Sequence, residues 1–163
     1  MKFTFTQDVE TVYPLFIDPA IYIERCEALG ETDIRCDVQT QGGRTTMNVS
    51  RTVRRDLPGP LAKIAKPENT IKSNVVWNND GDGKRKSGRY DATIEGSPIP
   101  ISITATFSLT PNASGGCVYD IDVKVKAKHL LLGKIAEGFA GKEVEATLPV
   151  EHNWNVKKLA SMA

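Results

Sequence analysis

Histidine is almost missing from this 163-residue sequence, where His129 and His152 are the only two. Neither sits in a His-x-x-x-His or comparable arrangement, and Cys26, Cys36 and Cys117 include no closely spaced pair. Those gaps argue against a zinc centre, whose ligands come at short His and Cys spacings. Three cysteines, odd in number and far apart, fit reduced buried thiols better than a disulfide framework. An excess of charge is also lacking. Twenty-one Lys and Arg face 20 Asp and Glu, a net charge of +1, so no whole-molecule field draws the protein to nucleic acid or anionic lipid. No apolar run approaches the roughly 20 residues of a membrane helix, so stable membrane insertion is not expected. The opening Met1-Lys2-Phe3-Thr4-Phe5-Thr6 alternates like a strand and lacks the apolar core of a signal peptide, which makes the cytoplasm the expected compartment.

Catalytic motifs are absent as well. There is no Gly-x-Ser-x-Gly and no phosphate loop, and Gly81 and Gly83 lack the third glycine of a dinucleotide fingerprint. Asn78, Asp80, Asp82 and Gly83 match the first half of a calcium loop, but the twelfth position, which needs a bidentate acid, is Arg89. The run reads as a solvated hairpin turn. Lys84-Arg85-Lys86, Arg89 and Arg54-Arg55 have no stacking aromatics interleaved with them. They read as solvated charge, not a nucleic-acid site. No metal and no cofactor are expected.

What is present is ordinary globular composition, 40% apolar and 25% charged, in a chain sized for one domain over 1–163 that buries roughly 70% of its unfolded surface. Phe3 and Phe5 give a first strand one apolar face. Asp8 caps a short helix running to about Phe16, in which Pro14 makes a kink or opens a turn. Asp18-Pro19 starts a second helix to Leu29, stopped by Gly30. From Thr32 the period becomes two. Ile34, Cys36 and Val38 share a face, and Gln41-Gly42-Gly43 turns into a strand with Met47, Val49 and Val53. Leu57 to Pro67 is a long connection holding a short helix. Ile71, Ser73, Val75 and Trp77, then Tyr90, Ala92 and Ile94, mark two further strands.

The clearest strands come last. Ile99, Ile101, Ile103, Ala105, Phe107 and Leu109 alternate with Ser102, Thr104, Thr106 and Ser108, and Tyr119, Ile121, Val123, Val125 and Ala127 alternate with Asp120, Asp122, Lys124 and Lys126. Such alternation predicts an antiparallel sheet covered on one face. A long helix from about Leu131 to Ala160 follows. Its predicted apolar stripe is Leu132, Ile135, Ala136, Phe139, Ala146, Val150 and Trp154, with Val144, Leu148 and Leu159 off it. Gly138, Gly141 and Pro149 weaken this helix, so a bend is predicted at Glu145 to Pro149. The N-terminal half would then border a pocket mouth opposite a lid from Leu57 to Ala65.

The order of strand, two short helices, about six antiparallel strands and one long helix resembles the START-like, or SRPBCC, superfamily. Met1-Lys2-Phe3-Thr4-Phe5, Asp18-Pro19 with Glu24-Arg25-Cys26-Glu27-Ala28-Leu29-Gly30, and Leu57-Pro58-Gly59-Pro60 are similar to a bacterial family within it called domain of unknown function 2505. The resemblance covers essentially the whole chain. It implies an α+β helix-grip fold, with a curved antiparallel sheet of about seven strands around the long C-terminal helix. It also implies an apolar pocket between them, since the superfamily includes lipid and hormone binders, polyketide cyclases and co-chaperones. It assigns no functional residues.

The leading expectation is therefore binding or carriage of a small apolar or amphipathic molecule. The predicted lining is Met47, Val49 and Arg51 on one strand, Trp77 and Tyr90 on the next two, Ile103, Phe107 and Ile121 on the last two, and Phe139 on the helix. A bland alternative is that Trp77, Tyr90, Phe107, Phe139 and Trp154 fill the interior. A cyclase- or hydrolase-type enzyme would need an acid or base among the inward residues, and the strand alternation supplies almost none. A co-chaperone-like module would instead expose a large apolar patch. Arg51 is the anomaly, because two-residue spacing puts it on the apolar face with Met47, Val49 and Val53. A guanidinium there needs an anionic partner or a route to water. The candidates are a ligand's carboxylate or phosphate, an acid on a helix such as Glu143, or a bulge at Ser50 that turns the side chain outward.

Overall fold

A computed structural model of the chain describes residues 1–79 and 84–163. Asp80, Asp82 and Gly83 of the calcium-like run, with the tip of their hairpin, lie outside the described residues. The chain forms strand β1 (Lys2–Phe5), helices α1 (Val9–Val12), α2 (Pro14–Ile17) and α3 (Pro19–Ala28), and strands β2 (Thr32–Gln41) and β3 (Arg44–Arg54). A short helix α4 (Gly59–Ala62), strands β4 (Glu68–Asn79), β5 (Lys86–Glu95), β6 (Ile101–Pro111) and β7 (Cys117–Ala127), and helix α5 (Gly133–Met162) complete it. The seven strands make one antiparallel, curved, open sheet in the order β1-β7-β6-β5-β4-β3-β2.

The local chemistry accounts for the breaks. Asp8 accepts from the Thr11 amide at 2.8 Å and caps α1. Pro14 opens a separate helix, α2, since it cannot donate to a continuous one. Asp18 accepts from the amides of Ala20 and Ile21, and Pro19 takes the first helical position of α3. Gly30, at φ +83°, ends the helix in the left-handed region that glycine enters without strain. Gly42 and Gly43, at φ +59° and +77°, form the tight two-residue turn between β2 and β3, a geometry that matches the twist of the flanking strands.

The predicted faces of the last two strands match the burial. Ala105, Phe107 and Ile121 are buried and Ile101, Ile103, Val123 and Val125 half-buried, while Thr104, Thr106, Asp122 and Lys124 are exposed. A main core joins Phe5, Leu15, Met47, Trp77, Phe107 and Leu159, so the short helices, the sheet and the end of α5 close on one another. A smaller cluster of Leu61, Ile99 and Ala136, with Leu57, Leu132 and Phe139 against it, ties α4 to the start of α5.

The stripe predicted for α5 is out of phase. Ile135, Ala146 and Val150 are exposed, whereas Val144 and Leu148 face the interior and Leu159 is buried. The inward row is Ala136, Phe139, Ala140, Glu143, Val144, Thr147, Leu148 and Glu151, continued by buried Asn155 and Leu159. Polar residues on the inside and valine and isoleucine on the outside blur the periodic signal on which such a reading rests. Among the described residues no helix is long and apolar enough to cross a membrane.

Candidate functional site

Between the concave face of the sheet and α5 lies a cavity of about 270 Å³. That is close to the lower end of the range for ligand pockets, about 300–1,000 Å³. One end is floored by aromatic rings. Trp77 lies 4.3 Å from Phe107 and 5.4 Å from Phe16 between ring centroids, and Phe16 lies 4.7 Å from Tyr119. Gly88 makes room for this floor: a Cβ there would fall on the Val76 carbonyl oxygen and 2.5 Å from Phe107 Cε2. The rings do not fill the interior. Ile71, Ile94, Ile101, Ile103 and Val123 line the remaining space from the sheet, and Phe139, Ala140 and Leu148 line it from α5.

Of the predicted lining, Arg51, Trp77, Tyr90, Ile103, Phe107, Ile121 and Phe139 border the cavity. Met47 and Val49 do not; both are buried in the main core with Val12, Phe16 and Ile21 of the short helices. Trp154 packs against the core and is not part of the wall. Leu57, Leu61 and Ala65 line the cavity together with Ala136, Phe139 and Ala140. Leu57 and Leu61 share a cluster with Ala136 and Phe139, so the connection after β3 packs on the weak half of α5.

Arg51 points inward, as the alternation predicts, and its partner is none of the expected ones. Its Nη1 donates to both carboxylate oxygens of Glu31, at 2.6 Å to Oε1. Glu31 follows the left-handed Gly30, its amide bonds back to the Cys26 carbonyl, and its side chain is buried behind the cavity-lining Arg51. The expected bulge at Ser50 is absent. Ser50 and Arg51 pair in unbroken register with Lys72 and Ile71, and the irregularity lies across the ladder in β2, between Thr32 and Arg35. Glu143 pairs instead with Arg55, at 2.6 Å.

A polar cluster around Arg51 therefore forms part of a mostly apolar wall, in which Arg55, Lys66, Asn69 and Glu143 are further polar members. Arg51 Nη2 reaches the Tyr90 hydroxyl at 3.5 Å, and its Nε is buried without a partner. Arg25, also buried, donates to the Leu15 carbonyl at 2.9 Å and to Asn155 Oδ1 at 3.0 Å. Burial works against the Arg51 charge, but Tyr90, Tyr22 and Glu31 outweigh it and raise the guanidinium above the ordinary arginine range. Burial also pushes the Tyr22 and Tyr119 hydroxyls well up.

Glu151 is the acid that the strand pattern did not reveal. It faces the cavity from α5 and makes no hydrogen bond or ion pair among the described residues. Burial raises its carboxyl above the usual range, with Arg25 and Arg51 pulling the other way and Glu31 reinforcing the rise. A signal for it was available: Glu143, Thr147, Glu151 and Asn155 recur every four residues, which marks a polar row on one helix face. Arg25 and Glu31 carried no comparable mark.

Among the described residues no three His, Cys, Asp or Glu side chains converge as metal ligands. The model of a family described as "Protein of unknown function (DUF2505)" matches residues 1–156. Comparison with curated proteins found no match.

Proposed function

We propose that this chain, which belongs to the DUF2505 family, binds a small hydrophobic or amphipathic molecule in the cavity between its sheet and α5. We read it further as a member of the START-like superfamily, whose sheet-and-helix arrangement it shares. The observation that carries the reading is the cavity itself, left open between the sheet and α5 beside the main core. An apolar wall with a few convergent polar groups is the usual form of a small-molecule site. The ligand's apolar body would lie along Ile103, Val123 and Phe139, and its polar group beside Glu151, Arg25 and Tyr90. Glu31 already neutralises Arg51, so the site does not require an acidic ligand.

Native mass spectrometry of protein purified from its own host tests this, with an apolar naphthylamine fluorophore as a second probe. The expected result is added mass on the wild type, and fluorophore binding that Ile103→Trp abolishes while circular dichroism stays unchanged. Wild-type protein with neither added mass nor fluorophore binding would overturn the reading.

One observation favours a second reading, acid–base catalysis in the same cavity. Glu151 is a cavity-facing carboxyl with a raised pKa and no hydrogen-bond partner among the described residues, and such groups cluster at catalytic sites. In that reading the retained mass turns over, and Glu151→Gln stops turnover without loss of binding.

A further inference from the structure

Leu130 is 98% exposed and Leu131 81% exposed. They sit in the turn between β7 and α5, beside Pro100 and the cluster of Leu61, Ile99 and Ala136, and all three cluster residues also line the cavity. The turn is braced. The amides of Leu131 and Leu132 donate to His129 Nδ1 at 3.2 and 2.9 Å, the Gly133 amide donates to the His129 carbonyl, and the Lys128 amide donates to Pro100. Ile135 and Ile64 are also exposed nearby, on either side of the cluster of Leu61, Ile99 and Ala136. A braced turn that holds two leucines in water needs an occupant for them.

The charge around them is mostly positive, although one acid, Glu137, stands at the turn, where its Oε1 accepts from the Ala127 amide at 2.8 Å. Residues 61–66, 97–100 and 127–136 contain Lys63, Lys66, Lys128 and Lys134 and no Asp or Glu, and all four lysines are exposed. The near-neutral total charge hides this concentration, because the lysines come from two segments far apart in the sequence.

We propose that this end of the molecule docks on an anionic lipid bilayer, with Leu130 and Leu131 entering the acyl boundary and the lysines meeting the headgroups. Shallow apolar insertion supported by basic charge is how peripheral proteins hold to such surfaces. A protein partner fits less well, since lysine is depleted at protein interfaces and two leucines on a turn are far short of the ~800 Å² that a stable interface buries per side. Ala65, Lys66, Ile99 and Phe139 belong both to this end and to the cavity wall, so docking sets the mouth against the bilayer. Docking stands without the ligand reading; only the use of the docked mouth to load a ligand rests on it.

The test is co-sedimentation of the full chain with vesicles of phosphatidylcholine mixed with phosphatidylserine, and with phosphatidylcholine alone. Wild type should bind the mixed vesicles and bind the neutral ones far less. Leu130→Ser/Leu131→Ser should weaken binding tenfold or more without altering the circular dichroism, and Lys128→Gln or Lys134→Gln should each weaken it roughly fivefold. Ile103→Trp should bind vesicles like wild type even as it loses the fluorophore, which separates failure of the docking from failure of the pocket. Wild type that ignores the mixed vesicles, or a leucine double variant that binds them unchanged, would overturn the proposal. So would self-association of wild type that the leucine variant lacks, since that would assign the leucines to a protein contact.

Discussion

Replacing Arg51 with Leu should be among the most damaging single changes in this protein. The Glu31 side chain is 2% exposed and the Arg51 side chain 16%, and Arg51 is the only partner of both Glu31 oxygens among the described residues. Exposed ion pairs are worth about 0–1 kcal/mol, whereas removing one member of a buried pair costs about 3–5 kcal/mol because the other charge is left unpaired. The geometry selects the second figure. For a chain of this size each kcal/mol moves the midpoint by about 2–4 °C, so the loss corresponds to about 6–20 °C. Arg51→Leu/Glu31→Leu should recover most of it, since an apolar pair of similar volume often replaces a buried ion pair without net cost. Urea denaturation of the two single variants and the double closes the cycle. A single-variant loss below about 1 kcal/mol, or a double variant that loses the sum of both, would refute the argument that the pair is buried and mutually dependent.

Other expectations follow from the cavity and the core. Gly88→Ala should cost about 1–3 kcal/mol in urea denaturation, with altered Trp77 emission, because the added carbon meets the Val76 carbonyl and the Phe107 ring; a loss within error would show that the floor is loosely packed. The raised pKa of Glu151 means that the folded state holds a proton which the unfolded chain releases near its ordinary value of 4.5. Wild type should therefore lose stability relative to Glu151→Gln as pH rises from that value through the folded-state pKa. Urea midpoints of the two proteins that stay parallel from acid to neutral pH would contradict it. Burial pushes the Cys26 thiol up to about 12 and the Cys117 thiol up to about 11, so thiol titration at neutral pH should modify both only as fast as the protein unfolds. Rapid modification of either in the native state would show an opening at that site.

The parts of the fold that the sequence revealed are those with a strict period. Ile103 against Thr104 and Val123 against Lys124 alternate without exception, so both the faces and the antiparallel pairing followed from period two. Asp18-Pro19 and Gly30 bound α3 by capping chemistry that acts within a few residues. Helix α5 was misphased because its inner face carries Glu143, Thr147, Glu151 and Asn155 while Ile135, Val150 and Val156 face water. A helix beside a partly polar cavity has no clean apolar stripe to read. The inward position of Arg51 was legible for the same reason as the strands, but Glu31 was not, because a charge partner twenty residues away depends on how α3 docks. Met47 and Val49 share a strand face with Arg51, and alternation alone does not say where along that face the core ends and the cavity begins.

The place of β1 in the sheet has a consequence for how the chain reaches its native state. Its only neighbour is β7, and Phe5 pairs with Cys117. At synthesis rates of about 5–20 residues per second, the 112 positions separating them (117 − 5) take roughly 6–22 s to emerge. During that interval Phe5, Val12 and Leu15, all fully buried at the end, have no β7 or α5 to cover them. Contacts this distant in sequence also slow the final search, since loop closure must precede the packing that rewards it. The chain should therefore be most exposed to aggregation while its last third is still being made. A truncated chain ending before Cys117 should aggregate or recruit holdase chaperones where the full chain does not.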